Sequence, residues 1–175
     1  MERKVYSRDS ASNVHNTKKR KKMNNKQRKQ YAIKTLANWR NEDGTQKESK
    51  IERKVRLFLE KQEIFFEQEF GWWWNDKYKS FDFLVKDNVN YTFLVEIHGN
   101  YWHAYDFLVG KHKRRELTKT QKQNLWNDDW KSKMAKDCGY PLLVFWEHEV
   151  QRGFPTVEER ILAEIDRQKI AFSGN

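Results

Sequence analysis

Apolar positions along this chain recur on two periods, and the changes between them mark out its elements. Between Ser49 and Gln62, the residues Ile51, Val55, Phe58 and Leu59 fall at i, i+4, i+7 and i+8, the stripe of an amphipathic helix. Ser49 with Glu52 three residues on is the capping-box pattern that starts such a helix. Ile64 to Phe70 reads as a first strand. Phe81–Val85 and Tyr91–His98 read as the two strands of a hairpin closed by the polar turn Lys86-Asp87-Asn88. The helical period returns from Thr118 to Asp137, with Leu125, Trp126, Trp130 and Met134 as its apolar face, and Cys138-Gly139-Tyr140-Pro141 stops it. Leu142 to Trp146 is a wholly apolar strand of parallel-sheet type, followed by polar Glu147-His148-Glu149. Pro155 opens a last amphipathic helix to about Phe172, with Ile161, Leu162, Ile165 and Ile170 facing inward. This order predicts an α/β sandwich, a mixed central sheet of about four strands flanked by helices.

Residues 1–30 follow neither period. Lys18, Lys19, Arg20, Lys21 and Lys22 form a basic run, and Lys26, Arg28 and Lys29 continue it. So little of this arm can be buried that it is expected to be disordered without a partner up to about Asn24. Tyr31, Ile33, Leu36, Ala37 and Trp39 then recur at loosely helical spacing before Asn41-Glu42-Asp43-Gly44 ends the segment. The chain therefore divides into a basic arm with a short helix, 1–46, and a folded domain, 47–175. Only 37% of residues are hydrophobic although aromatics reach 15%, which implies a small aromatic-rich core under a charged surface. The net charge of +10 calls for a polyanionic partner, DNA or RNA ahead of an anionic membrane. The single cysteine, Cys138, excludes a disulfide framework and a cysteine-based zinc site and fits a reducing compartment. No apolar run approaches the length of a membrane span, and the charged N-terminus lacks a signal-peptide core, so a soluble intracellular protein is expected.

Into two nearly apolar hairpin strands the chain places Asp82, Glu96 and His98. Buried carboxylates close together are costly, and a bound divalent metal is the simplest compensation. An edge-strand Asp82 facing solvent, with Glu96 and His98 as an ordinary surface pair, accounts for the same pattern. Asp82, Glu96 and the backbone carbonyl of Ile97 make a hard-oxygen set suited to Mg²⁺, with Mn²⁺ as a substitute. His98 or His103 is placed to accept or relay a proton near neutral pH. Glu52 either belongs only to its helix cap or faces Asp82 across the helix–sheet interface. Successive residues of an extended chain point to opposite sides, so at least one of Trp72, Trp73 and Trp74 should be exposed. Trp73 is accordingly a candidate DNA contact, with a protein contact as an equal alternative. Tyr101 and Trp102 on the turn after His98 are two more, and Lys111, Lys113, Arg114 and Arg115 form a second basic cluster on a loop at the same rim.

Asp82 followed by Glu96-Ile97-His98 on the next strand resembles the PD-(D/E)xK nuclease core, with His in place of the usual Lys. A longer ordered set runs over roughly residues 47–150. It comprises Ser49-Lys50-Ile51-Glu52, Asp82, His98-Gly99-Asn100-Tyr101-Trp102-His103, Asn124 with Asp128, and Gly139-Tyr140-Pro141 through Trp146-Glu147. This set is similar to the very short patch repair (Vsr) endonucleases and their phage relatives, the EDxHD homing endonucleases. The resemblance implies Asp82 as principal metal ligand aided by the Ile97 carbonyl, and His103 as general base. It implies Asp128 as the partner that orients His103, with Asp129 as the slip-by-one alternative, and Glu52 as a further acid. Tyr101 and Trp102 match aromatics that wedge into the duplex. Asn100, Tyr105, Phe107 and His148 stand where the repair enzyme holds a structural zinc, so no zinc is expected. Glu96 is acidic where that enzyme is apolar, which leaves the proton role open between His98 and His103. The basic arm has no counterpart there and favours a mobile-element nuclease over mismatch repair. The expectation is a Mg²⁺-dependent, site-specific endonuclease on double-stranded DNA, a free-standing homing endonuclease leaving 5′-phosphate and 3′-hydroxyl ends. A repair nuclease or junction resolvase on the same core, and a non-catalytic nucleic-acid-binding protein, are the alternatives. One active site makes one nick, so cutting both strands takes a homodimer or two visits.

Overall fold

The computed structural model describes residues 47–173 apart from 76 and 88, together with the isolated positions 27, 30 and 42. The basic run at Lys18, Lys19, Arg20, Lys21 and Lys22, Arg28, the loosely helical segment up to Trp39 and the expected boundary at 46 lie outside the described residues.

Helix α1 (Lys50–Lys61) begins where its cap predicts. The Ser49 hydroxyl accepts from the Glu52 amide at 3.2 Å, and the Glu52 carboxylate accepts from the Ser49 amide at 3.1 Å. Val55, Phe58 and Leu59 are buried and Ile51 packs beside them, so the predicted stripe is the observed one. Strands β1 (Phe66–Trp74), β2 (Lys77–Lys86), β3 (Thr92–His98) and β4 (Leu142–Trp146) form one sheet in that order. β1–β2 and β2–β3 are antiparallel, and β3–β4 is parallel. Between β3 and β4 the chain makes the short α2 (Tyr105–Leu108), a single 3-10 turn (Arg114–Glu116) and the long α3 (Lys119–Asp137). After β4 come α4 (Glu147–Arg152) and α5 (Phe154–Ser173). The molecule is thus α/β, a mixed four-stranded sheet flanked by helices.

The two faces of the sheet differ in size. The larger core joins Val55, Phe58 and Leu59 of α1 to Phe83, Val85, Phe93, Val95 and Ile97 of the sheet, and to Val157, Ile161 and Ile165 of α5. The smaller one holds Phe81, Leu84 and Leu94 under Met134 and Ala135 of α3. Phe83 lies in the first cluster, but Phe81, two residues earlier, lies in the second. The regular in–out alternation of β2 is therefore broken at Asp82.

Several boundaries differ from expectation. β1 starts at Phe66 rather than Ile64 and continues through the tryptophans, because Trp73 and Trp74 pair with Tyr78 and Lys77 of a β2 that starts four residues earlier than expected. Trp73 and Trp74 are half-buried. In α3 the expected apolar face is only partly buried: Met134 is buried, Trp130 is half-buried against Trp74 with ring centroids 4.7 Å apart, Leu125 is half-buried and Trp126 is 46% exposed. In α5, Ile161 and Ile165 face inward with Val157, whereas Leu162 and Ile170 are exposed. Buried Gln168 takes the inward place one turn beyond Ile165, and its side-chain oxygen accepts from the Thr92 amide at 2.9 Å where β3 starts. The polar residues after β4 form a helix, α4, rather than a strand end. Among the described residues no helix is long and apolar enough to cross a membrane.

Candidate active site

The site begins where the hairpin opens. β2 and β3 pair from Lys86↔Thr92 to Phe83↔Val95. At the next residue Asp82 replaces the backbone ladder with its side chain, whose Oδ2 accepts from the Ile97 N–H at 2.6 Å. What reaches Asp82 from Ile97 is thus the amide. Burial is the main cause that pushes the Asp82 carboxyl well above its ordinary range. Glu96 and Glu52 add to it, while Lys131 and the Ile97 amide oppose it.

Glu96, 3% exposed, behaves differently. Burial alone would raise its carboxyl, but the Lys131 ammonium and then His98 outweigh it and hold Glu96 below the usual carboxylate range. Lys131 Nζ donates to Glu96 Oε1 at 2.7 Å. Burial disfavours that ammonium, and Glu96, Asp82 and Asp128 more than restore it. The compensation that buried carboxylates demand is therefore supplied at Glu96 by a lysine of the chain itself.

Helix α3 supplies the rest of the frame. Gln121 Nε2 donates to the Tyr101 carbonyl at 2.8 Å, and Asn124 Nδ2 to the Trp102 carbonyl at 2.9 Å. Asp128 Oδ2 meets His103 Nδ1 at 2.7 Å, and Lys131 reaches Glu96. These positions are i, i+3, i+7 and i+10, one stripe of a helix. Thr118 starts the helix with a capping box to Gln121, which fixes the register of the stripe. Held by its carbonyls, the turn after β3 presents Tyr101 and Trp102 outward, 60% and 57% exposed, with their rings edge-to-face at 5.1 Å. Asp129 is exposed on another side of the helix, so Asp128 is the residue that contacts His103.

His98 stacks on His103, with ring centroids 4.0 Å apart and planes 9° apart. His98 Nε2 is 3.7 Å from Glu96 Oε2 and 3.9 Å from Asp128 Oδ1. One ligand atom from each of His98, His103 and Asp128 lies within 4.8 Å of the others, close enough to consider a shared metal. A metal sits in the plane of each imidazole it binds, however, and two nearly parallel stacked planes do not meet at one ion. As the rings stand, the trio is suited to holding and passing a proton.

Two contributors are not apparent from sequence, Lys131 and Glu69. Glu69 lies opposite Asp82 on β1, with a left-handed backbone (φ 50°). Burial raises its carboxyl. Glu52 and Glu96 add to the shift, and Lys131 and a hydrogen bond with Ser80 offset part of it. Glu52 completes the α1 cap, and its charge adds to the upward shift of the Asp82 and Glu69 carboxyls. Lys131 shares the stripe of Asn124 and Asp128, three residues after Asp128 and seven after Asn124, but among the other lysines of the helix that spacing does not single it out. Glu69 had no signal, because its relevance depends on the β1–β2 register.

Around the site, Asn100 Oδ1 pairs with His148 Nδ1 at 3.0 Å, the Tyr105 ring lies 4.6 Å from that imidazole, and the Asn100 amide donates to Glu147 Oε2 at 3.0 Å. Phe107 is half-buried nearby in sequence. Lys111, Lys113, Arg114 and Arg115 are all exposed between α2 and α3, with Lys111 3.5 Å from Asp106. Trp73 is packed on Tyr78 at 5.7 Å within the β1–β2 ribbon rather than standing out as a platform. Comparison of the chain with family models, with curated proteins and with solved structures returned no match in any of the three.

Proposed function

We propose that this chain is a divalent-cation-dependent DNA endonuclease of the Vsr-like branch of the PD-(D/E)xK nucleases, acting as a free-standing homing endonuclease. The observation that carries the reading is the 2.7 Å His103–Asp128 contact, with His103 on the same turn as two outward aromatics. A hard divalent cation fits the donor set, since Asp82 is a buried carboxylate whose surroundings disfavour its bare anion. Asp82 would hold such a cation with the Ile97 carbonyl, the Ile97 N–H being already given to Asp82 Oδ2, and the charges of Glu52, Glu69 and Glu96 would favour it. When bound, the cation supplies charge neutralisation at the scissile phosphate.

The chain's own residues supply the remainder. With Nδ1 committed to Asp128, His103 presents Nε2 to a water and takes its proton, and Asp128 fixes the tautomer and stabilises the imidazolium. The water oxygen bonds to phosphorus as the bond to the 3′ oxygen breaks and a solvent water protonates the departing oxygen, leaving a 5′-phosphate and a 3′-hydroxyl. His98, stacked against His103, limits the ring's rotation. Tyr101 and Trp102 insert at a base step and distort the duplex, while Lys111, Lys113, Arg114 and Arg115 contact backbone phosphates.

The test is to incubate the full chain with supercoiled plasmid and phage genomic DNA, with Mg²⁺, with EDTA, and with Asp82→Ala in parallel. Discrete Mg²⁺-dependent products that disappear in Asp82→Ala are expected. Normal cutting by Asp82→Ala would place the site elsewhere. A second reading, a non-catalytic DNA-binding module, is favoured by the Glu96–Lys131 pair, which neutralises one of the acids without a metal. Retarded but uncut DNA under every condition is its signature.

A further inference from the structure

The Glu96–Lys131 pair lies within the same group of charges that bears on Asp82. Glu96 is almost completely buried on β3, next along the strand from the Ile97 amide that binds Asp82. Lys131 reaches Glu96 at 2.7 Å from the polar stripe of α3, its ammonium passing 5.4 Å from the Phe81 ring centroid. Its charge also bears on Asp82 and Asp128. A lysine ammonium is a point charge on a four-carbon stem that can swing away without moving the helix. A divalent cation placed between Asp82 and Glu96 would meet that ammonium as a like charge and compete with it for the same oxygen.

We infer that Lys131 is a resident counter-cation that competes with the divalent metal for the Asp82–Glu96 carboxylates, so that metal loads only as the ammonium leaves Glu96. This deepens the metal-dependent reading and rests on it, but it is a statement about the metal-binding equilibrium, and it can be measured without DNA or cleavage. The lysine is a positioning residue: its 2.7 Å contact holds the Glu96 carboxylate in place in the metal-free protein, and in doing so it weakens the metal site.

The experiment titrates Mn²⁺ into metal-free full-length protein, with bound ion read by the loss of the free Mn²⁺ electron paramagnetic resonance signal and folding checked by circular dichroism. Lys131→Met is expected to bind Mn²⁺ about tenfold more tightly than wild type, within the usual range of coupling between sites. Lys131→Arg, which keeps the charge, is expected to bind no more tightly than wild type. Because Lys131→Met leaves a buried carboxylate unpaired, the comparison is repeated in the Glu96→Gln background, where no such anion remains. There, Glu96→Gln with Lys131→Met should still bind more tightly than Glu96→Gln alone, through the relief at Asp82. Equal Mn²⁺ affinity in each folded pair overturns the competition and leaves the metal-dependent reading standing. Absence of Mn²⁺ binding in wild type and variants alike overturns both.

Discussion

Asp128 and Asp129 are neighbours in sequence, but the helix turns by about 100° between them, so one meets His103 and the other meets solvent. Spacing alone left the choice open, because Asn124 marks the right stripe only once the helix register is known. Asp128→Ala is expected to lower the cleavage rate by about two to four orders of magnitude, the usual worth of a positioned proton acceptor and its orienting carboxylate. Asp129→Ala should leave it within about twofold, as for an ordinary surface change. Single-turnover cleavage assays of the two variants separate them, and comparable losses in both would remove Asp128 from its assigned role. Asp82, Glu96 and His98 were legible because each interrupts an apolar strand, and His103 because it stands beside two large aromatics on the turn after β3. Lys131 was not, since a lysine on a lysine-rich helix looks like solvated charge until its partner across the interface is known. Glu69 was not either, since it lies among polar residues of β1 like any outward-facing strand position.

At the level of elements, the capping boxes and the apolar runs located α1, α3, β3 and β4 to within about one residue, because a cap or a β-branched run is a local signal. The faces of α3 and α5 were harder to read. α3 covers the sheet with buried Met134 and Ala135 and with half-buried Trp130 edge-on to Trp74 of β1, and gives the adjoining stripe to Gln121, Asn124, Asp128 and Lys131, so an apolar periodicity alone does not reveal the face that carries the site. α1 carries a separate device. Arg56 Nε and its terminal nitrogen bind both oxygens of Glu48 at 2.9 and 3.0 Å, and Gln68 of β1 donates to Glu48 at 3.3 Å, which ties the segment before α1 to helix and sheet. The Arg56 hydrogen bond is the main cause holding the Glu48 carboxyl below its ordinary range. A depressed carboxyl contributes stability above its unfolded-state pKa and loses it as pH falls through the folded-state value. Glu48→Gln should therefore cost about 1 kcal/mol at pH 7, a typical worth for a partly buried bidentate pair. The difference from wild type should begin to shrink as pH falls below the ordinary glutamate value of about 4.3, and vanish only below the lower folded-state value. Urea unfolding across pH 3 to 8 measures it, and a pH-independent difference would mean that the effect comes from packing instead.

Over the whole molecule, the alternation of helices and strands made the mixed sheet and its flanking helices legible. The opening between β2 and β3 was hidden, since it arises from one carboxylate displacing a ladder bond and not from any change in composition. The charge of +10 is concentrated partly in the arm. Deleting residues 1–24 should weaken DNA binding and flatten the slope of log affinity against log salt by roughly 0.9 for each phosphate that the arm neutralises. Fluorescence anisotropy over a salt series tests this, and an unchanged slope would show that the arm touches no phosphate. The polar stripe of α3 carries one more meaning at this scale. The residues that hold the outward aromatics and the residue that holds the proton acceptor are successive turns of one helix, so the aromatics and the acceptor share a single ruler. The distance along the duplex from the disturbed base step to the broken bond would then be a constant of the enzyme, whatever sequence it is brought to.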